Sequence, residues 1–189
     1  MSALTEEKRR LRREAAKRTA ALPEGYLHRA GTAIAEQVAG LPAYRTARTV
    51  LAFAGTNREI DTRPLLERVL LDGRVLALPV CVGPGIMEAR QVTDLAALRP
   101  GAYGILEPPE NAPRLAPAEI DLIAVPCAAC DRAGHRLGHG GGYYDRYLAS
   151  YTGSAVLLCP EALVMDAIPH EAHDRTVPTV VTESGIFGF

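Results

Sequence analysis

The chain has 189 residues, 48% hydrophobic and 23% charged, with a formal net charge of −1. That balance gives enough apolar mass for one well-filled core, and it excludes disordered, collagen-like and coiled-coil proteins. With so little net charge, no overall field draws the chain to nucleic acid or to an anionic membrane. No segment approaches the roughly 20 apolar residues of a spanning helix, and the first twenty residues are too charged for a signal peptide. Four cysteines do not make a disulfide scaffold. The expected location is the cytoplasm, with the thiols reduced.

In chain order, residues 8–18 hold seven of the 21 basic residues, Lys8, Arg9, Arg10, Arg12, Arg13, Lys17 and Arg18. Leu4, Leu11, Ala15 and Leu22 recur at helical spacing, and Thr5, followed by Glu6 and Glu7, reads as the N-cap. This is a basic helix with one narrow apolar stripe. Its charge is either a solvated face or a set of side chains reaching an anionic ligand, and the residues alone leave both open. A second helix follows Pro23, with Leu27, Ala30, Ile34, Val38 and Leu41 on one side.

Thr49 to Phe53 has the short apolar run of a buried strand, and Asp61 and Pro64 open a helix that closes near Gly73, Asp61 serving as its N-cap. Val75 to Val80 and Ile86 to Val92 read as strands. Residues 99–118 contain five prolines and two glycines and read as a loop or cover segment. Asp121 to Val125 is a strand, as are Ala155 to Cys159 and Val177 to Thr182, with a helix through Tyr147 and Leu148 between them. Strands alternating with helices predict one α/β domain over residues 1–189. Its central sheet is mostly parallel and flanked by helices in three α/β/α layers, with ligands at the carboxyl ends of the strands.

The richest stretch for chemistry is Arg136-Leu137-Gly138-His139-Gly140-Gly141-Gly142-Tyr143-Tyr144-Asp145-Arg146. Four glycines within five residues permit a tight turn with bare N–H groups, just ahead of a helix start, where a phosphate is favoured. Arg136 and Arg146 can neutralise phosphate charge, and Asp145 is a hard oxygen ligand suited to Mg²⁺. The pattern is neither a P-loop, which needs Lys-Ser/Thr after the last glycine, nor a dinucleotide-binding fingerprint.

Cys127 and Cys130 form a C-x-x-C with His135 and His139 nearby. A redox pair, a zinc site and two buried thiols packed between strand and loop are the alternatives. The spacing to the histidines is short for a zinc finger, and the packing reading is preferred. Glu59 lies beyond the first strand, where it could accept hydrogen bonds from an N–H-rich heterocycle. His170, His173 and Asp174 lie close together, which suggests a metal, but at this spacing in a proline-flanked loop the surface reading is preferred. No serine sits in a nucleophile-elbow context.

These residues together resemble the 5-formyltetrahydrofolate cyclo-ligase family, also called 5,10-methenyltetrahydrofolate synthetases. The resemblance runs from Lys8 to about Glu183 and rests on Lys8-Arg9-Arg10-Leu11-Arg12, Glu59-Ile60-Asp61-Thr62, Leu78-Pro79-Val80 and Tyr103-Gly104-Ile105-Leu106-Glu107-Pro108. It continues through Asp121 to Pro126, the Arg136 to Arg146 signature, Ile168-Pro169, His173-Asp174 and Val181-Thr182-Glu183.

The resemblance implies ATP- and Mg²⁺-dependent closure of 5-formyltetrahydrofolate, polyglutamylated or not, to 5,10-methenyltetrahydrofolate, by a monomer. Carried over by position, Lys8, Arg9, Arg10, Leu11 and Arg12 would line the ATP together with Arg136, Leu137, Gly138, His139, Gly140, Gly141, Gly142, Tyr143 and Tyr144. Asp145 and Asp174 would hold Mg²⁺. Phe53, Asn57, Glu59 and Tyr143 would contact the folate, and Arg136, Tyr144 and Asp145 would carry the chemistry. The basic helix of residues 1–22 thereby belongs to the ATP site.

The sequence departs from the family pattern at Cys127 and Cys130, where members often have Gly and Phe. It departs again at Cys159-Pro160-Glu161-Ala162, where many carry a glutamine, and at Gly141, where some carry a lysine. A catalytically silent folate- or nucleotide-binding protein is the alternative within the same fold, and a zinc or redox protein built on Cys127 and Cys130 is the alternative outside it.

Overall fold

The computed structural model describes residues 3–56 and 58–188. Helix α1 (Ala3–Ala20) leads to α2 (Tyr26–Gly40) and the short α3 (Pro42–Thr46); β1 (Thr49–Leu51), α4 (Arg63–Leu71) and β2 (Val75–Gly83) follow. β3 (Ile86–Val92) runs back beside β2. β4 (Arg99–Pro100) and β5 (Leu106–Glu107) form a two-stranded ribbon, and β6 (Arg114–Leu115) returns to the main sheet. Then come β7 (Leu122–Val125), a second ribbon of β8 (Ala129–Cys130) and β9 (Arg136–Leu137), α5 (Tyr143–Ala149), β10 (Ser154–Leu158), β11 (Thr179–Thr182) and β12 (Gly185–Phe187).

The main sheet has the order β12-β11-β10-β7-β1-β2-β3-β6. Its central strands β11, β10, β7, β1 and β2 are mutually parallel, and β12, β3 and β6 close the edges antiparallel. The fold is therefore the expected mostly parallel sheet flanked by helices. Parallel strands need both faces covered, which is why they read as unbroken apolar runs. Val50, Ala52, Leu76, Leu122 and Ala124 face a core shared with α2, α3 and α4. Leu51, Ala77, Ile123, Val125 and Leu157 face the other side, covered by Leu148 of α5 and by Leu163 and Val177 from loops. That second layer holds less helix than the first.

Chain order along the parallel strands reverses at β1 and β7, which are adjacent. In an open α/β sheet this switch point leaves a crevice at the carboxyl ends of the two strands. A 450 Å³ cavity lined by Thr46, Asp121, Thr152 and Ser154 lies at the opposite, amino ends.

Local corrections have physical causes. The helix α1 is already formed at Ala3, so Thr5 lies inside its first turn and not at the cap. The cap position of α4 is Thr62; Asp61 precedes it and accepts the Arg63 N–H at 2.9 Å. The first strand stops at Leu51 because the backbone leaves the ladder to approach Thr62, whose hydroxyl donates to the Phe53 carbonyl at 2.6 Å. β2 runs on to Gly83 because β3 pairs along its length. Within the proline-rich segment, β6 gains a place by pairing with Ala89 and Arg90 of β3.

Candidate active site

The site is assembled at the carboxyl side of β1 and β7 from three segments. The first is the turn after β1. Gly55 lets this turn pack closely, since a Cβ there would stand 2.1 Å from the Ile60 carbonyl oxygen. The turn presents Glu59, whose side chain is only 9% exposed; its Oε1 lies 3.2 Å from His139 Nε2, and its Oε2 accepts the Thr56 N–H at 3.1 Å. Burial pushes the Glu59 carboxyl up, yet the hydrogen bonds from His139 and Thr56 outweigh it and hold the group below its usual value. Glu59 is therefore a charged acceptor at neutral pH. Asn57 lies outside the described residues, and the Phe53 ring is buried in the core while its carbonyl accepts from Thr62, so its side chain is not presented to the crevice.

The second segment is the glycine-rich turn. Gly140 (φ 100°) and Gly142 (φ 67°) occupy the left-handed region that side chains disfavour. Arg146 donates to the Gly141 carbonyl at 2.9 Å and to the Gly85 carbonyl at 3.4 Å, tying the turn to the β2–β3 hairpin. Leu137 is buried, so only its backbone is presented to the turn. Arg136 is not held out toward solvent. Its side chain is 5% exposed and donates to Asp145 Oδ1 at 2.5 Å and to the Arg175 carbonyl. Asp145 Oδ1 also accepts the Arg175 N–H at 3.1 Å, while its Oδ2 carries no hydrogen bond among the described residues.

The third segment is α1, and its charge separates into two groups. Leu11 and Ala15 are buried against Ala129, Leu137, Met165 and Ile168; burying one leucine side chain contributes about 1.5–3 kcal/mol. Flanking that stripe, Lys8 reaches Asp174 Oδ2 at 2.6 Å and Arg12 donates to the Gly138 carbonyl at 2.7 Å. Arg9 and Arg10 are exposed and pair along the helix with Glu6, Glu7 and Glu14. The solvated-face reading thus holds for Arg9 and Arg10, while Lys8 and Arg12 turn inward to Asp174 and the glycine-rich turn. Burial pushes the Asp174 carboxyl up, but hydrogen bonds from Lys8 and the Glu171 N–H bring it below its ordinary value. Glu171, His173 and Asp174 offer ligand atoms within 4.8 Å of one another.

Two tyrosines close the rim. The Tyr144 hydroxyl is buried and has no hydrogen-bond partner among the described residues. Burial, then the charge of Glu59, push its pKa up, so it remains a proton donor. Tyr143 places its hydroxyl 3.3 Å from that of Tyr103, which is 80% exposed and stands at φ 58°. A non-glycine residue in that conformation stores about 1–3 kcal/mol of strain, a common property of functional sites. Sequence reasoning gave neither Tyr103 nor Arg175 a role. The only signals were the Tyr-Gly pair inside the proline-rich loop and the adjacency of Arg175 to His173-Asp174.

Cys127 and Cys130 are both buried, and Cys159 joins them. Hydrogen bonding to Cys130, then to Cys159, with burial added, holds the Cys127 thiol well above its usual value. In the same set, hydrogen bonding with Cys127, then with Cys159, lowers the Cys130 thiol. The lowered thiol is fully buried, so the pair lacks the exposed nucleophile of a redox motif.

Among the described residues no helix is long and apolar enough to cross a membrane. The arrangement as a whole offers anion-binding backbone, two cations from α1, hard carboxylates and a buried charged acceptor. Those groups suit phosphoryl chemistry beside a heterocycle.

Known proteins are similar to this chain in sequence and in fold. A probable 5-formyltetrahydrofolate cyclo-ligase of Schizosaccharomyces pombe is 30% identical over 166 residues, covering 79% of this chain and 81% of that one. The 5-formyltetrahydrofolate cyclo-ligase of Mycolicibacterium smegmatis is 36% identical over 148 residues, covering 71% and 73%. The NMR structure of Aquifex aeolicus 5,10-methenyltetrahydrofolate synthetase superposes with a TM-score of 0.84 at 32% identity, over 96% of this chain and 92% of that one. The pattern of the 5-formyltetrahydrofolate cyclo-ligase family matches residues 4–183, and over that span, which takes in α1, the turn after β1 and the glycine-rich turn alike, the chain belongs to this family of ligases.

Proposed function

We propose that the chain catalyses ATP-dependent closure of 5-formyltetrahydrofolate to 5,10-methenyltetrahydrofolate, with release of ADP and phosphate. The observation that carries this reading is the meeting of α1 with the glycine-rich turn through Arg12 and the Gly138 carbonyl, while Glu59 stands against His139 of that turn. One turn thus separates a cationic, N–H-rich cradle from a buried carboxylate, as a reaction between a triphosphate and a heterocycle requires.

The donor set fits both implied groups. For ATP there are the turn's backbone N–H groups, Lys8 and Arg12, with Arg9 and Arg10 adding charge on the same helix. For Mg²⁺ there are Asp145, with Oδ2 carrying no hydrogen bond among the described residues, and Asp174 beside the Arg175 N–H that binds Asp145. When bound, the ion supplies charge neutralisation at the phosphates.

The formyl oxygen is a poor leaving group until it is phosphorylated. It attacks the γ-phosphorus as the bond to the bridging oxygen breaks and ADP departs. N10 then attacks the formyl carbon, the carbon–oxygen bond breaks, and the oxygen leaves on phosphate while N10 gives up its proton. The protein contributes position and charge. Glu59 accepts pterin N–H groups, Tyr143 flanks the folate, Tyr144 donates its hydroxyl to the reacting oxygens, and Arg136 fixes Asp145. The folate is taken with or without a polyglutamate tail, and the chain acts as a cytoplasmic monomer without nucleic acid or membrane.

Incubation with 5-formyltetrahydrofolate, ATP and Mg²⁺ should produce the methenyl absorbance only when all three are present. Folate binding without ATP-dependent absorbance would identify a silent binding protein.

A further inference from the structure

Strand register places two thiols together outside the rim. Val125 of β7 is paired with Leu157 of the parallel strand β10, so Cys127 and Cys159, each two residues further on, leave the sheet side by side. The β8–β9 ribbon then folds Cys130 against them, where the Cys130 carbonyl accepts the Met165 N–H. The three sulfurs lie within 4.8 Å of one another. Cys127 is 5% exposed and the other two are 0% exposed, and all three thiols are free. Their surroundings are Ile123, Val125, Leu157, Leu163, Val177 and Val180.

The donor set selects its ligand. Three sulfurs in an apolar, closed setting offer nothing to hard ions such as Mg²⁺ or Ca²⁺. Zinc takes four donors, and among the described residues no histidine or carboxylate joins the three thiols at that spacing. The nearest candidates in sequence are taken elsewhere: Asp131 by His135 at 2.9 Å and the Ile168 N–H at 2.9 Å, and Glu161 by Arg132. A soft ion content with three sulfurs remains. A metal–sulfur bond of about 2.3 Å sets three coplanar sulfurs about 4 Å apart, so the cluster need close by at most about 0.8 Å. Weak contacts alone oppose that movement: Cys127 to the Leu158 carbonyl at 3.6 Å and Cys159 to the Pro160 carbonyl at 3.5 Å.

We infer that Cys127, Cys130 and Cys159 form a sulfur site for a thiophilic monovalent d¹⁰ ion of the Cu(I) type. Metal–sulfur bonds form as S–H bonds break, each released proton goes to solvent, and the ion enters already reduced, so no electron moves.

The test is anaerobic titration of the reduced full chain with Cu(I) against a competing chelator, followed by desalting and metal analysis. The wild type and Cys81→Ser should each retain about one equivalent, and the unfolding midpoint should rise by about 5 °C or more in excess Cu(I). Cys130→Ser should lose at least about tenfold in affinity while circular dichroism shows a folded chain. Should that variant not fold, Cys159→Ala provides the same comparison. Retention below about a tenth of an equivalent, or retention unchanged when any one of the three thiols is removed, overturns the site.

Discussion

Arg136 and Asp145 are locked together: a guanidinium nitrogen of the nearly buried arginine lies 2.5 Å from Asp145 Oδ1, while the same arginine reaches the Arg175 carbonyl. The arginine therefore sets which Asp145 oxygen is engaged and which carries no hydrogen bond among the described residues. Arg136 is 5% and Asp145 30% exposed, so the pair lies between the surface and buried limits; its loss should cost about 1–3 kcal/mol of stability and be felt more strongly in turnover. Asp145→Asn and Arg136→Lys should each lower kcat by about 100-fold. The double variant should be little worse than either single one, because both remove one positioned carboxylate. Fully multiplicative losses would separate the two roles.

Within α1, Arg12→Ala should raise the KM for ATP by about tenfold, equivalent to about 1.4 kcal/mol, because Arg12 is tethered to the turn at Gly138. Arg10→Ala should change it less than about threefold, since Arg10 is spent on exposed pairs with Glu7 and Glu14. Steady-state kinetics decide the matter, and equal effects would place the whole basic face on the nucleotide.

Tyr144→Phe separates folding from function. The hydroxyl is buried with no partner among the described residues, and such a group costs about 1–3 kcal/mol. Removing it should leave thermal stability unchanged or raise it by about 1 kcal/mol, while kcat/KM falls by about tenfold or more. A destabilised variant with full activity would refute the assigned role.

Glu59→Gln keeps the shape but removes the charge, and should raise the folate KM about tenfold or more with little change for ATP. The folded-state pKa of Glu59 is lowered, so the carboxylate stays ionised through the neutral range. Its contribution to stability is present above the unfolded carboxyl value and is lost as pH falls through the lower folded value. Folate binding should likewise weaken only in that acid range, as fluorescence titrations against pH would reveal.

Asp131 governs acid stability. This buried carboxylate accepts the Ala133 and His135 N–H groups at 3.0 Å, the Ile168 N–H at 2.9 Å and His135 Nδ1 at 2.9 Å. Burial raises its pKa, but the hydrogen bonds from Ile168 and His135 outweigh this and the net shift is downward. Stability from Asp131 is therefore complete above the unfolded value of about 4 and disappears as pH drops through the lower folded value. Asp131→Asn should cost about 2–4 kcal/mol at pH 7 and flatten the acid limb of the unfolding curve.

The amino-acid sequence by itself determined the alternation of buried strands with helices, the two faces of α2 and the glycine-rich turn, because apolar spacing and glycine content are local properties. It also marked the charged residues of the site by type. Tertiary structure decided what those residues do. Lys8 and Arg12 turn inward while Arg9 and Arg10 face solvent, because Leu11 and Ala15 choose the docking face. Arg136, legible as a phosphate clamp, is taken by Asp145 and the Arg175 backbone, and Cys159 completes a cluster of which sequence displayed only Cys127 and Cys130. Partners of this kind are set by strand order and register, which bring distant segments to one end of the sheet and leave no trace in short-range spacing.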